Sequence, residues 1–216
     1  YDGALMARAW ERRFYSSPEV SGVTLTHLEC GYAFEPQMRC RMCRDEVRMA
    51  DVGYEPGPGA TRDERDKKVR RRSSISALDT PPGSRQLYNN LIHLVGDRWT
   101  ANIIALSFHG LTRFDQFHAE LPVATNILSD RLKFLVAEKV FVQAAYQQRP
   151  ARHEYRLTEK GEALYPWFLS LLQWGDKWCD PDNSGKPMRL IHSPSTRDVT
   201  QWANNTSCQD VFSIET

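Results

Sequence analysis

Thr125-Asn126-Ile127-Leu128-Ser129-Asp130-Arg131-Leu132-Lys133-Phe134-Leu135-Val136-Ala137-Glu138, with the change of period just after it, identifies the architecture of this chain. Ile127, Leu128, Leu132, Leu135 and Val136 recur at helical spacing, so the sequence predicts an amphipathic helix from about Thr125 to Glu138. After Lys139 the period drops to two. Residues 140–146 and 153–157 read as β-rich runs on either side of a polar loop, 147–152, which predicts a hairpin. Upstream lie three further helical faces. Leu87, Leu91, Leu94 and Val95 form the first, closed by Gly96; Trp99, Ile103, Ile104 and Leu106 form the second, closed by His109-Gly110; Phe114, Phe117 and Leu121 form the third, ended by Pro122. Downstream, Thr158 and Gly161 open a last helix that runs to about Trp178. Three helices, a longer fourth, a hairpin and a final helix predict a winged helix over residues 84–178, mainly α with a small β wing.

The remainder of the 216 residues separates by composition. Residues 2–15 read as a helix carrying Leu5, Trp10 and Phe14, and residues 23–47 as short strands holding three of the five cysteines. Residues 54–83 combine Pro-Gly repeats with a charged run. Positions 61–72 alone hold seven basic and three acidic side chains, too little apolar surface to fold independently, so the stretch reads as a linker. The expected division is 1–53, a helix with a small zinc-ribbon-like β segment; 54–83, a linker; 84–178, the winged helix; and 179–216, a C-terminal tail. No apolar run approaches the ~18 residues of a membrane span, no signal-peptide pattern opens the chain, and an odd cysteine number argues against a disulfide framework. A cytoplasmic location is expected. Residues 84–158 hold nine basic and six acidic groups, while the first sixty and the last thirty-eight residues are each two units acidic, so an electrostatic partner should meet the middle of the chain.

A helix that reads DNA needs short polar side chains at its N-terminal end and an apolar rear. Thr125, Asn126, Ser129 and Asp130 supply the first, and Ile127, Leu128, Leu132 and Leu135 the second. Asn126 can address adenine with two hydrogen bonds, while Thr125 and Ser129 can bond base edges or phosphates. Lys133 and Arg113 are candidate phosphate contacts, and Arg149 and Arg152 suit a wing lying along a groove. The plain alternative is a buried helix flanked by ordinary surface charge. His93 falls on an apolar helix face and reads as a core residue; His109, His118 and His153 read as surface residues. No nucleophile–base arrangement, Gly-rich phosphate loop or apolar carboxylate pair suggests an enzyme.

Four separated blocks sharpen this reading: Leu94-Val95-Gly96-Asp97-Arg98-Trp99-Thr100, Arg113-Phe114-Asp115, Leu128-Ser129-Asp130-Arg131-Leu132-Lys133 and Glu154-Tyr155-Arg156-Leu157-Thr158-Glu159-Lys160-Gly161. In this order and spacing, the stretch 86–178 resembles the HxlR-type winged helix-turn-helix domain of bacterial transcription regulators, a MarR-like architecture. The resemblance implies a regulator that binds an inverted repeat in double-stranded DNA and dimerises through its first and last helices. Two departures stand out. Many members carry a cysteine about twelve residues before the Gly-x-x-Trp motif, where this chain has Ser84-Arg85, which puts thiol sensing by that route in doubt. The turn after the recognition helix usually has Gly where Lys139 stands here.

His27-x2-Cys30 and Cys40-x2-Cys43 offer one imidazole and three thiolates in two short knuckles, the spacing of a small structural zinc site. The competing reading is three idle thiols beside a surface histidine. An internal repeat extends the pattern. Trp10 and Phe14 match Trp174 and Trp178, and His27, Cys30, Cys40 and Cys43 fall opposite His192, Ser195, Asn205 and Cys208 at one offset. With two ligands replaced, the second copy is expected to hold no metal. The repeat, and a chain that opens at Tyr1 within a helical pattern, lead us to expect a tandem regulator whose first winged helix is absent here. The last helix, with Trp167, Phe168, Leu171, Leu172, Trp174 and Trp178, has enough apolar surface to pair either with a second copy or, in an intrachain pseudo-dimer, with the Trp10/Phe14 helix.

Two functions fit these features: a sequence-specific DNA-binding regulator, or a protein-interaction module built on a degenerate winged helix with a structural zinc ribbon. For the linker, fast amide exchange is expected across residues 61–80 in solution. Slow exchange throughout that stretch would show that it folds.

Overall fold

The computed structural model describes residues 2–16, 24–60, 89–149, 151–179, 184–193, 208–209 and 212–215. The expectation for 61–80 lies outside them. Helix α1 (Asp2–Phe14) is followed by β1 (Leu25–Thr26), β2 (Ala33–Phe34), β3 (Gln37–Cys40) and β4 (Val52–Pro56). The winged helix then comprises α2 (Asn89–Val95), α3 (Arg98–Phe108), α4 (Phe114–Glu120), α5 (Thr125–Ala137), the hairpin β5 (Phe141–Gln148) and β6 (Ala151–Leu157), α6 (Glu159–Glu162) and α7 (Tyr165–Trp178). Strands β7 (Met188–His192), β8 (Cys208–Gln209) and β9 (Phe212–Glu215) complete the described chain. None of the described helices is long and apolar enough to cross a membrane.

The helical faces read from the sequence are the core. Leu91, Leu94, Ile103, Ile104, Phe117, Leu128, Leu132 and Leu135 are all buried, and Val140 and Phe141 close the core beneath the wing. Burying a Leu or Ile side chain is worth about 1.5–3 kcal/mol, so this layer, rather than local propensity, fixes the short helices. The last helix is broken. Thr158 caps α6 by accepting the Gly161 amide, and α7 restarts with Pro166 in its first turn, where a missing N–H costs nothing. Gly161 has no room for a side chain, because a Cβ there would stand 2.4 Å from the Val140 carbonyl oxygen.

The wing is longer than the sequence suggests. Gln147 pairs with Arg152 and Gln148 with Ala151, so the expected polar loop 147–152 shrinks to a tip between Gln148 and Ala151. Ladder hydrogen bonds, not burial, carry the strands outward through polar residues. His93 is exposed, edge-on to Phe134 at 5.4 Å, rather than in the core. His109 is half-buried against Tyr54 at 4.2 Å, and burial lowers its pKa.

The two ends of the chain are not separate tails. Strand β3 pairs with β9, and β4 pairs with β7, which pairs in turn with β8. The small β segment expected to lie within residues 1–53 is therefore assembled from both ends of the chain. Position 54 does not begin a linker either. Tyr54 pairs with Leu190 inside the β4–β7 ladder, and the Gly57 and Gly59 amides donate to Pro187 O and Lys186 O at 3.0 and 3.1 Å. A Cβ at Gly57 would meet the Lys186 carbonyl oxygen at 2.1 Å and one at Gly59 the Gly185 carbonyl oxygen at 2.0 Å, so these glycines permit a close backbone approach.

Helix α1 belongs to the winged helix as well. Ala7 and Trp10 enter its core, and the Trp10 indole N–H donates to Lys160 O at 3.0 Å. The Glu11 carboxylate, fully buried, accepts the Leu91 amide and the Asn90 side-chain amide, both at 2.7 Å. It thereby satisfies a first-turn N–H of α2 that has no partner within its own helix. Met6 packs with Tyr165 and Leu169 of α7 in a second cluster, which also takes in Met38, Cys40, Val47 and Leu190.

At the end of α5, Lys139 lies at φ 58°, the left-handed conformation in which Gly is at no disadvantage. Replacing Lys139 by Gly should relieve that strain and stabilise the fold by about 1 kcal/mol. Urea denaturation checks this; an unchanged or lower midpoint would mean the strain is already absorbed.

Candidate nucleic-acid interface

Helix α5 divides as its sequence divides. Leu128, Leu132 and Leu135 are fully buried, while Thr125, Asn126, Asp130 and Lys133 are exposed and Ser129 is half-exposed. Positions 126, 130 and 133 fall on one face at helical spacing. The residue before the helix, Ala124, has no side-chain oxygen, and α5 has no side-chain cap at its N-terminus. Its first amides are open to an anion.

Helix α5 is anchored at two points by groups that the functional reading of the sequence did not single out. Near its middle, Arg131 donates to Asp97 Oδ2 at 2.8 Å, while Asp97 Oδ1 caps α3 by accepting the Trp99 and Thr100 amides at 2.7 and 3.3 Å. One carboxylate thus starts α3 and holds α5 in place. At the C-terminal end, Lys160 Nζ donates to Glu138 O at 2.7 Å and to Tyr15 Oη at 2.9 Å. Desolvation lowers the Lys160 pKa, opposed by the nearby Glu138 carboxylate. The same desolvation pushes Tyr15 up to about 12, with Glu138 and Glu11 adding to the shift. Asp97, Arg131 and Lys160 all stand in the four family-like blocks, but a block does not say which of its charges meet each other.

Arg113 sits where the turn before α4 touches the wing. It bridges to Glu154 through the backbone, and the Tyr155 amide donates to Thr112 O at 2.7 Å. Gln116 Oε1 accepts the Thr112 and Arg113 amides at 3.0 and 2.9 Å, fixing this turn. The Arg113 guanidinium lies 3.4 Å from Asp115. Arg149 is exposed at the wing tip, and Arg152 is exposed on β6. The structure thus places Thr125, Asn126, Ser129, Asp130 and Lys133 on α5, with Arg149 and Arg152 on the wing and Arg113 at its base.

The metal ligands fall out differently. His27 and Cys30 sit on the turn joining β1 and β2, with the thiol 3.4 Å from His27 Nδ1. They do not join Cys40 and Cys43, so the expected four-ligand set is not gathered. Cys40 and Cys43 meet His192 instead, their ligand atoms all within 4.8 Å of one another. The expectation assumed a site closed within one short segment, whereas the ladders between β4 and β7 and between β3 and β9 bring the two ends of the chain together. Burial raises the Cys43 thiol pKa, with the Cys40 thiol adding to the shift against a backbone hydrogen bond at Asp45 that lowers it.

Comparison with known proteins agrees with this geometry. The profile of the HxlR-like helix-turn-helix family matches residues 94–183. The uncharacterized HTH-type transcriptional regulator Rv3095 of Mycobacterium tuberculosis is 42% identical over 101 residues, 47% of this chain and 63% of that protein. The chain thus spans less than two thirds of that relative's length. The uncharacterized HTH-type regulator YvaP of Bacillus subtilis is 35% identical over 95 residues, which cover 44% of this chain and 88% of YvaP. The reduced form of the regulator YodB from B. subtilis, a solved structure, is 31% identical and covers 43% of this chain and 91% of its own, with a TM-score of 0.39.

The shared carboxylate generates a prediction. Asp97→Ala should cost about 1–2 kcal/mol of stability by removing the α3 cap. Arg131→Ala should cost less, because the pair is about one third exposed on each side. A double-mutant cycle in urea should return a coupling below about 1 kcal/mol; a larger value would make the ion pair, not the cap, the main role of Asp97.

Proposed function

Because the chain belongs to the HxlR-like helix-turn-helix family, we propose that it is a DNA-binding transcription regulator that inserts α5 into the major groove. The observation that carries the reading is the exposed polar face of Thr125, Asn126, Asp130 and Lys133 on a helix whose opposite side is fully buried. In this reading Asn126 pairs with adenine, and Asp130 accepts from a cytosine amino group or excludes other bases. Thr125, Ser129 and the open amides of α5 bind at the groove edge. Lys133, Arg113, Arg149 and Arg152 meet phosphates, which set register without reading sequence.

Leu171, Trp174 and Trp178 on α7 remain 42%, 57% and 66% exposed beside the docked α1. An exposed apolar strip of this kind suits pairing with a second copy, which would set two α5 helices about 34 Å apart on an inverted repeat.

Selection from random duplex DNA followed by salt titration tests the proposal. Asn126→Ala should relax preference at one base position per half-site and cost about 1–3 kcal/mol on the selected sequence. Lys133→Ala or Arg149→Ala should weaken all sequences alike and flatten the salt dependence by about one unit of slope. A neutral Asn126 with sequence-selective lysine and arginine variants would misplace the helix. No salt-sensitive duplex binding at all would overturn the regulator reading in favour of an assembly module.

A further inference from the structure

Outside α5 and the wing, one cluster concentrates chemistry: Cys40, Cys43 and His192. We infer that these three residues hold one zinc ion that fastens two segments about 150 residues apart.

The donor set comes first. Cys40 and His192 are fully buried and Cys43 half-exposed, and their ligand atoms lie within 4.8 Å of one another. The Cys43 Sγ to His192 Nδ1 separation is 3.4 Å. With Zn–S about 2.3 Å and Zn–N about 2.0–2.1 Å, the edge of a tetrahedron between a thiolate and an imidazole is about 3.5 Å. The spacing is already that of two ligands on one ion.

The backbone explains why both thiols reach one place. The Cys40 amide donates to Asp45 O and its carbonyl accepts the Arg44 amide, at 3.0 and 2.8 Å. This winds residues 40–44 tightly enough to put Arg44 at φ 66°, where the Arg39 guanidinium donates to the Arg44 carbonyl at 2.9 Å. A strained knuckle of this form brings two cysteines three positions apart to the same side.

Two thiolates and one imidazole are soft donors of the kind zinc takes, three of the four ligands of a tetrahedral ion, with the fourth position left to water. The elements it would join are small. β3 has four residues and β7 five, and sheets of this size need an added link to hold.

Elemental analysis of the full chain purified without chelator should find one zinc per chain. Refolding with cobalt should give the visible bands of a tetrahedral thiolate site. Cys40→Ser and His192→Ala should abolish metal retention, whereas Cys30→Ser and His27→Ala should keep it. Cys43→Ser should lose one thiolate's share of the cobalt charge-transfer band. For variants that fail to fold, the native protein supplies a second readout: chelator should raise the number of thiols open to alkylation, and Cys40 and Cys43 should be among those newly modified. Metal-free native protein, metal lost in Cys30→Ser, a full-strength band in Cys43→Ser, or thiol reactivity indifferent to chelator would each overturn the site.

Discussion

The buried carboxylate of Glu11 holds the whole arrangement in place. A fully buried charge is costly unless its hydrogen bonds are made, and Glu11 makes them with the Leu91 amide and the Asn90 side chain, some eighty positions along the chain. That bond holds α1 against α2, and with α1 fixed, Ala7 and Trp10 complete the core of the winged helix. Met6, one turn back, reaches the second cluster beside Tyr165 and Leu169. Part of the closure of the winged-helix core thus comes from a helix far upstream.

Helix α1 is also linked, through Lys160, to α5. Trp10 donates to the carbonyl of Lys160, and the ammonium group of Lys160 donates to Glu138 O at the end of α5. Tyr15, just beyond α1, shares that ammonium group. The position of α5 is therefore set from two directions: by Asp97 and Arg131 from within the winged helix, and through Lys160 from the upstream segment.

Docking α1 has a further consequence for the strands next to it in the chain. They are carried to the side of α7 where the chain returns as β7, and the ladders β4–β7 and β3–β9 can form. There Cys40 and Cys43 face His192. The cluster is thus a product of long-range strand pairing rather than of a local motif. This also explains why His27 and Cys30, close in sequence to Cys40, end on an exposed turn of a two-stranded ribbon.

The winged helix was legible from residue order alone. Its elements bury faces with regular periods, and Leu128, Leu132 and Leu135 announce in order which side of α5 is inside, leaving Asn126, Asp130 and Lys133 outside. At position 139 the resemblance, with its usual Gly, pointed to a residue that favours the left-handed conformation, and Lys139 adopts it. Less could be read where polar groups decide. The wing runs through Gln147 and Gln148 because backbone ladders continue without apolar side chains, and nothing in the sequence pairs Arg131 with Asp97 or Lys160 with Glu138. Least legible was the partnership of the two ends. Gly57 and Gly59 read as linker residues and are points of backbone contact, and the partner of Cys40 and Cys43 is a histidine about 150 residues away. Periodicity reports which face of an element is buried, but not against what: the sequence offered α1 as one of two partners for α7, whereas the docking of α1 on α2 through Glu11, and the strand pairing of the two ends, no local pattern encodes.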